Sequence, residues 1–135
     1  MHPLQKQFHD EIKKKQLFPK DGKVLLAVSG GVDSMVMLHL FLSSNILFDV
    51  AHCNFGLRAE ESDKDEELVR DWAIKNNVKF HFRKFDLEGS IQLAAREARY
   101  KWFDELLEKF DYWAVATAHH LNDSLETALF NITRG

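Results

Sequence analysis

Short apolar runs alternate along this chain with longer stretches of helical period. Leu4, Phe8 and Ile12 recur at four-residue steps and predict an amphipathic helix over residues 3–16. The run 24–28 predicts a first strand, and Met35, Leu38 and Leu42 mark a largely buried helix soon after it. A second strand is expected over 47–52. Leu68, Val69, Trp72 and Ala73, set on a charged background, predict a helix over 61–76. Phe80, Phe82 and Phe85 give bulk to a third strand over 78–85. Ala95, Ala98, Trp102, Phe103, Leu106, Leu107 and Phe110 lie on one face of a long helix over 91–110. A fourth strand follows at 112–118, and a last helix is expected over 124–132. Such alternation predicts an α/β fold, a Rossmann-like parallel sheet of about four strands with right-handed crossovers and helices on both faces. There is no internal repeat, low-complexity tract or linker, so residues 1–135 read as one domain.

The junction of the first strand and its helix, KVLLAVSGGVDSMVML at 23–38, is where the chain puts its two adjacent glycines and an Asp-Ser pair. Ligands of open α/β sheets bind beyond the carboxyl ends of the strands, where this loop lies. Gly30 and Gly31 permit positive φ and close approach to the backbone, and the helix start adds unpaired N–H groups and a positive dipole end. Together they suit a phosphate or pyrophosphate, with Ser29 and Ser34 as further donors. Asp33 would repel a phosphate unless Mg²⁺ or a donor stood between them, so a metal-bridged nucleotide reconciles the two. The plain alternative is a tight Gly-Gly turn with Asp33 as an ordinary helix N-cap. The GxxxxGK[ST] loop is excluded because no lysine follows the second glycine, and adjacent glycines exclude GxGxxG.

Composition narrows the classes. The chain has 135 residues, 45% hydrophobic and 29% charged, enough to bury a core. Its apolar runs break far short of the roughly 20 residues needed to span a bilayer, and residues 1–16 show no signal-peptide stretch. A cytoplasmic protein is expected. A lone cysteine, Cys53, cannot form an internal disulfide, which suits a reducing compartment. A net charge of −3 argues against nonspecific coating by nucleic acid, leaving Lys13–Lys15 and Arg83-Lys84 as local basic contacts.

SGGVDS after a first strand resembles the pyrophosphatase loop of the N-type ATP pyrophosphatases, which split ATP between the α- and β-phosphates and adenylate a substrate. Three further segments, AHCNFGLRAEESDKDEELVR at 51–70, SIQLAAREARYKWF at 90–103 and ATAHHLNDSLETALFNITRG at 116–135, fall in the order and spacing of the tRNA(Ile)-lysidine synthetase family. The resemblance covers essentially the whole chain. It implies a ligase that uses ATP to adenylate the wobble cytidine at carbon 2 in tRNA(Ile) with a CAU anticodon, after which free L-lysine displaces AMP to give lysidine. It also implies an ATP site of Ser29, Gly30, Gly31, Val32, Asp33, Ser34, His52 and Asn54, with Asp33 as the Mg²⁺ carboxylate. Asp33, Arg99 and His119 are the implied catalytic residues and Asp123 and Glu126 the lysine-binding pair, with Arg58 and Arg96 as phosphate or tRNA contacts.

Each motif also has a local reading. His52, Asn54 and Arg58 sit at or just past the end of the second strand, where they either face the crevice or merely satisfy a loop. Arg96 and Arg99 are three apart on one helix face and suit either a phosphate clamp or salt bridges to neighbours such as Glu97. Asp123 and Glu126 form a capping box by spacing, which is compatible with holding an ammonium. His119 has a reference pKa suited to proton shuttling, and His120 is read as structural. Phe55 and Asn122 depart from the family patterns HxNHGLR and HHxDDQxET, as does Ser124. The family's catalytic domain usually continues beyond an Arg-Gly pair such as Arg134-Gly135 into tRNA-gripping domains. The chain is therefore expected to be a truncated piece that binds ATP weakly, fails to modify tRNA alone, and has a sheet edge open to a second copy as a homodimer. Three rivals are a tRNA thiolase, disfavoured by the single cysteine; an amide-forming synthetase, which would share only the loop; and a non-catalytic ATP-binding module.

Overall fold

Val24, Leu25 and Leu26 are all fully buried in the first strand, because both of its faces are covered. The computed structural model of the chain describes residues 5, 6, 8–10, 13, 22–44, 46–55, 60–85, 92–118 and 130–133. Of the N-terminal stretch, Gln5, Lys6, Phe8, His9, Asp10 and Lys13 are helical, in line with the four-residue period. Then come β1 (Lys23–Ala27), α1 (Val32–Leu42), β2 (Leu47–Asn54), α2 (Glu60–Lys75), β3 (Phe80–Lys84), α3 (Gln92–Phe110), β4 (Ala114–Ala118) and β5 (Phe130–Thr133).

The sheet order is β3-β2-β1-β4-β5. β1 pairs in parallel with β2 and β4, with Val24 opposite Phe48 and Ala114, and β3 extends the parallel sheet beyond β2. The chain steps from β1 to β2 to β3 in one direction, then returns past β1 to β4. Right-handed crossovers therefore send α1 and α2 to one face and α3 to the other. The two apolar clusters follow this division. Val24, Leu26 and Val28 meet Met37, Leu38 and Phe41 of α1 and Val69 of α2, while Leu25 meets Trp102, Phe103, Leu106 and Leu107 of α3. Phe8 joins the first cluster, its ring centroid 5.1 Å from that of Phe41.

Both long helices end by the same device. Asn77 and Asp111 take left-handed φ values of 56° and 57°. Val78 N–H then donates to Ala73 C=O at 2.9 Å, and Tyr112 N–H to Leu107 C=O at 3.1 Å, the six-to-one bond of a Schellman ending. These closures delay the strands that follow, so β3 begins at Phe80 rather than residue 78 and β4 at Ala114 rather than 112.

The expected last helix is corrected over its final residues. Phe130–Thr133 is a strand that runs antiparallel to β4, with Ala116 opposite Ile132, so a fifth strand joins the edge of the expected four parallel ones. Phe-Asn-Ile-Thr alternates large apolar with polar residues, a period of two that a short helical match obscures. Among the described residues no helix is long and apolar enough to cross a membrane.

Candidate functional site

The turn from β1 into α1 is closed by its own hydroxyls. Gly31 N–H donates to Ser29 Oγ at 3.2 Å, Ser29 and Ser34 Oγ lie 3.2 Å apart, and Ser34 Oγ donates to Gly31 C=O at 3.0 Å. Since the Ser34 proton goes to that carbonyl, Ser29 is the donor between the hydroxyls and Ser34 also accepts from Gly30 N–H, at 3.1 Å. Gly30 has φ +95°, and a Cβ built there would lie 2.9 Å from Asp65 Cβ of α2. Both facts require glycine.

Three expectations change here. Gly31 is extended, with φ −73° and ψ 168°, and does not use positive φ. It, and not Asp33, is the N-cap residue of α1; Asp33 lies in the first helical turn beside the exposed Val32. The Gly30 and Gly31 amides, expected to be open to a phosphate, are bonded within the loop. For a phosphate to take these amides, the two hydroxyls must rotate away, a rearrangement available to single-bonded O–H groups held at 3.1–3.2 Å.

β1 and β4 are neighbours, while α1, which leaves β1, and α3, which enters β4, lie on opposite faces, so the strand order reverses between them, and the crevice of such a fold opens there. A pocket of about 120 Å³ occupies that position. Ser29 lines it from the loop, Ser34 from the first turn of α1, Cys53 from β2, Arg99 and Phe103 from α3, and Thr117 from the end of β4. Thr117 Oγ1 is buried and has no hydrogen-bond partner among the described residues.

His52 is 2% exposed, and its Nδ1–H donates to Val28 C=O at 2.7 Å, fastening β2 to the residue just before the loop. Asn54 is buried as well. Its Nδ2 donates to Asp63 at 3.1 Å and Glu66 at 3.3 Å, and Arg70 in turn bonds Glu66 at 2.9 Å. Sequence reasoning missed these carboxylates because the charged run at 63–67 reads as a solvated helix face; Glu66 is 6% exposed.

The two arginines of α3 part company. Arg96 lies over Tyr100, at 5.8 Å from the ring centroid, whereas Arg99 lines the pocket and sits 5.3 Å from the Phe55 centroid. The Cys53 thiol lines the same pocket. Burial pushes that thiol up to about 12, with Arg99 pulling the other way, so Cys53 is a protonated wall of the pocket and no nucleophile. Arg58, His119, Asp123 and Glu126 lie outside the described residues. Among those described, no three His, Cys, Asp or Glu side chains come together to hold a metal ion. Asp33, in the first turn of α1 next to the loop, is the carboxylate in a position to hold Mg²⁺ together with phosphate oxygens.

The curated relatives of the chain include tRNA(Ile)-lysidine synthases from Chlorobaculum tepidum, 43% identical over all of this chain and 44% of that protein, and from Bacteroides thetaiotaomicron, 42% identical over 92% of this chain and 31% of that protein. Another, from Petrotoga mobilis, is 37% identical over the whole chain and 47% of its own length. The chain thus spans less than half the length of these relatives. Among solved structures, an NH3-dependent NAD synthetase from Campylobacter jejuni shares the fold, with a TM-score of 0.55 at 16% identity over 83% of this chain and 53% of that one. Residues 2–135 match the PP-loop domain, and with the Ser-Gly-Gly turn at the carboxyl end of the central strand, the chain belongs to the PP-loop family.

Proposed function

We propose that the chain is the ATP-binding and adenylating part of a tRNA(Ile)-lysidine synthetase. The observation that carries this is the meeting of the SGGVDS turn and Arg99 at one pocket where the strand order reverses. The triphosphate lies along residues 29–34, its oxygens replacing the serine hydroxyls at the Gly30 and Gly31 amides and meeting the dipole of α1. Arg99 reaches the α-phosphate side, where a guanidinium opposes the charge that builds as the wobble cytidine oxygen attacks. Asp33 supplies a carboxylate for Mg²⁺, which when bound neutralises phosphate charge.

His52 and Asn54 act from the strand end behind the loop, His52 by holding Val28 and Asn54 through its bonds to α2. Asp123 and Glu126 hold free lysine by its ammonium and amino groups, and His119 handles the proton lost as the lysine amine displaces AMP. Arg58 and Arg96 contact the tRNA backbone. The partners are the CAU-anticodon tRNA(Ile), L-lysine and ATP, and the domain works with the further segments its relatives' length implies.

The test is Mg-ATP binding by this chain, followed by pyrophosphate release on addition of tRNA(Ile) and lysine to an enzyme carrying the domain. Asp33→Asn should abolish adenylation, whereas Asp123→Asn or Glu126→Gln should raise the lysine requirement and spare adenylation. Failure of the chain to bind Mg-ATP at millimolar concentration, or pyrophosphate release independent of tRNA, would overturn the proposal.

A further inference from the structure

Phe55 stands at the end of β2 and sets its ring parallel to that of Phe85, centroids 5.0 Å apart and planes at 25°. Phe85 in turn packs edge-on against the buried Trp102 of α3, at 6.0 Å and 75°. Phe85 N–H donates to Asn54 C=O at 2.8 Å, so the two ring-bearing strand ends are also joined through the backbone. The guanidinium of Arg83 lies 5.3 Å from the Phe85 centroid. Trp102, Phe85 and Phe55 therefore form a continuous series of rings from the core under α3 out to the residue just past β2. Arg99, one helical turn from Trp102, lies at the end of the series, 5.3 Å from the Phe55 centroid.

An exposed arginine on a helix surface ordinarily samples many rotamers. Arg99 instead has its guanidinium set against the Phe55 ring, and Cys53 of the same strand end lines the same pocket. A guanidinium resting on a ring keeps its N–H edge free for a ligand while its face is held.

We infer that Phe55 is a positioning residue, whose ring, braced by Phe85 and Trp102, holds the Arg99 guanidinium over the pocket ready for an anionic ligand. This rests on the proposed phosphate role of Arg99. A cation–π contact at an exposed site corresponds to about a two- to fivefold effect on affinity.

Two readouts separate the inference from the reading beneath it. In ¹⁵N–¹H spectra of this chain, the Arg99 Nε–H resonance, assigned by its loss in Arg99→Lys, should carry a ring-current shift that Phe55→Leu removes and Phe55→Tyr keeps. Mg-ATP affinity should fall about two- to fivefold in Phe55→Leu, be restored in Phe55→Tyr, and show no further loss when Phe55→Leu is added to Arg99→Ala. An unshifted Arg99 resonance in Phe55→Leu overturns the positioning role. Full additivity of the Phe55 and Arg99 substitutions overturns it as well, because Phe55 would then act on ATP by another route. Should Arg99→Ala leave ATP binding unchanged, the phosphate role falls while the spectrum still decides whether Phe55 fixes the side chain.

Discussion

Gly30 carries two independent demands. Its φ of +95° costs any side chain backbone strain, and its hydrogen faces Asp65, whose Cβ would lie 2.9 Å from a new methyl. Gly30→Ala should therefore destabilise the chain by about 1–3 kcal/mol in urea unfolding and weaken Mg-ATP binding as the loop shifts away from α2. Gly31→Ala, extended and with no contact closer than the 3.4 Å to Ser29 Oγ, should be milder on both counts. The sequence singles out the pair of glycines but not which of them is indispensable, because that depends on Asp65, thirty-odd residues away on another helix. Cys53 is another residue whose meaning comes from its surroundings. Its folded-state pKa is raised from 9.0 to about 12, chiefly by burial, so the folded protein holds a proton that the unfolded chain releases first. Stability is then complete below pH 9.0 and lost as pH rises toward about 12. Tyr112, raised from 10.0 by burial and by its bond to Asp49, acts in the same direction from a higher starting point. Each group contributes a slope of up to about 1.4 kcal/mol per pH unit, and Cys53→Ala should flatten the decline that begins above pH 9.0 when urea midpoints are followed against pH.

At the scale of elements, long amphipathic segments were legible and their ends were not. Trp102, Phe103, Leu106 and Leu107 all fall on the buried face of α3, as their spacing predicts, because a helix packed flat on a sheet must carry a wide apolar stripe. The boundaries after α2 and α3 depend instead on Asn77 and Asp111 adopting left-handed φ, which glycine would advertise and these residues do not. β5 was misread for a related reason. Four residues hold only two repeats of a strand's alternation, too few to outweigh the apolar spacing of the preceding stretch, and it is the pairing with β4 that decides the matter. The pocket shows the same division. The loop was found from Gly-Gly and the strand before it, and Arg99 from its motif, whereas Cys53, Phe103 and Thr117 come together only through the strand order.

Across the whole molecule the two ends of the sheet serve different ends. The carboxyl end gathers the loop, Arg99 and the pocket; the amino end gathers a closed polar network. Tyr112 O–H donates to the buried Asp49, His81 Nε2–H donates to the Tyr112 oxygen at 2.8 Å, and Lys23 lies 3.4 Å from the other Asp49 oxygen. Burial, reinforced by Lys79, keeps His81 below its ordinary pKa, which leaves the ring neutral beside the lysines. The network spans β1, β2, β3 and the entry to β4, and it satisfies a carboxylate that would otherwise be costly to bury. Tyr112→Phe removes the neutral donor to Asp49 while preserving the ring's packing in the second core cluster. It should cost about 1–3 kcal/mol in urea unfolding. Because Tyr112 and the loop lie at opposite ends of the strands, the Mg-ATP affinity of the folded variant should be unchanged. Hydrogen exchange measured with and without Mg-ATP should slow across residues 28–35 in both proteins, with no slowing at Lys23, Asp49 or His81. Loss of ATP affinity in folded Tyr112→Phe would mean that the amino-end network sets the geometry of the loop and that the two ends of the sheet are coupled.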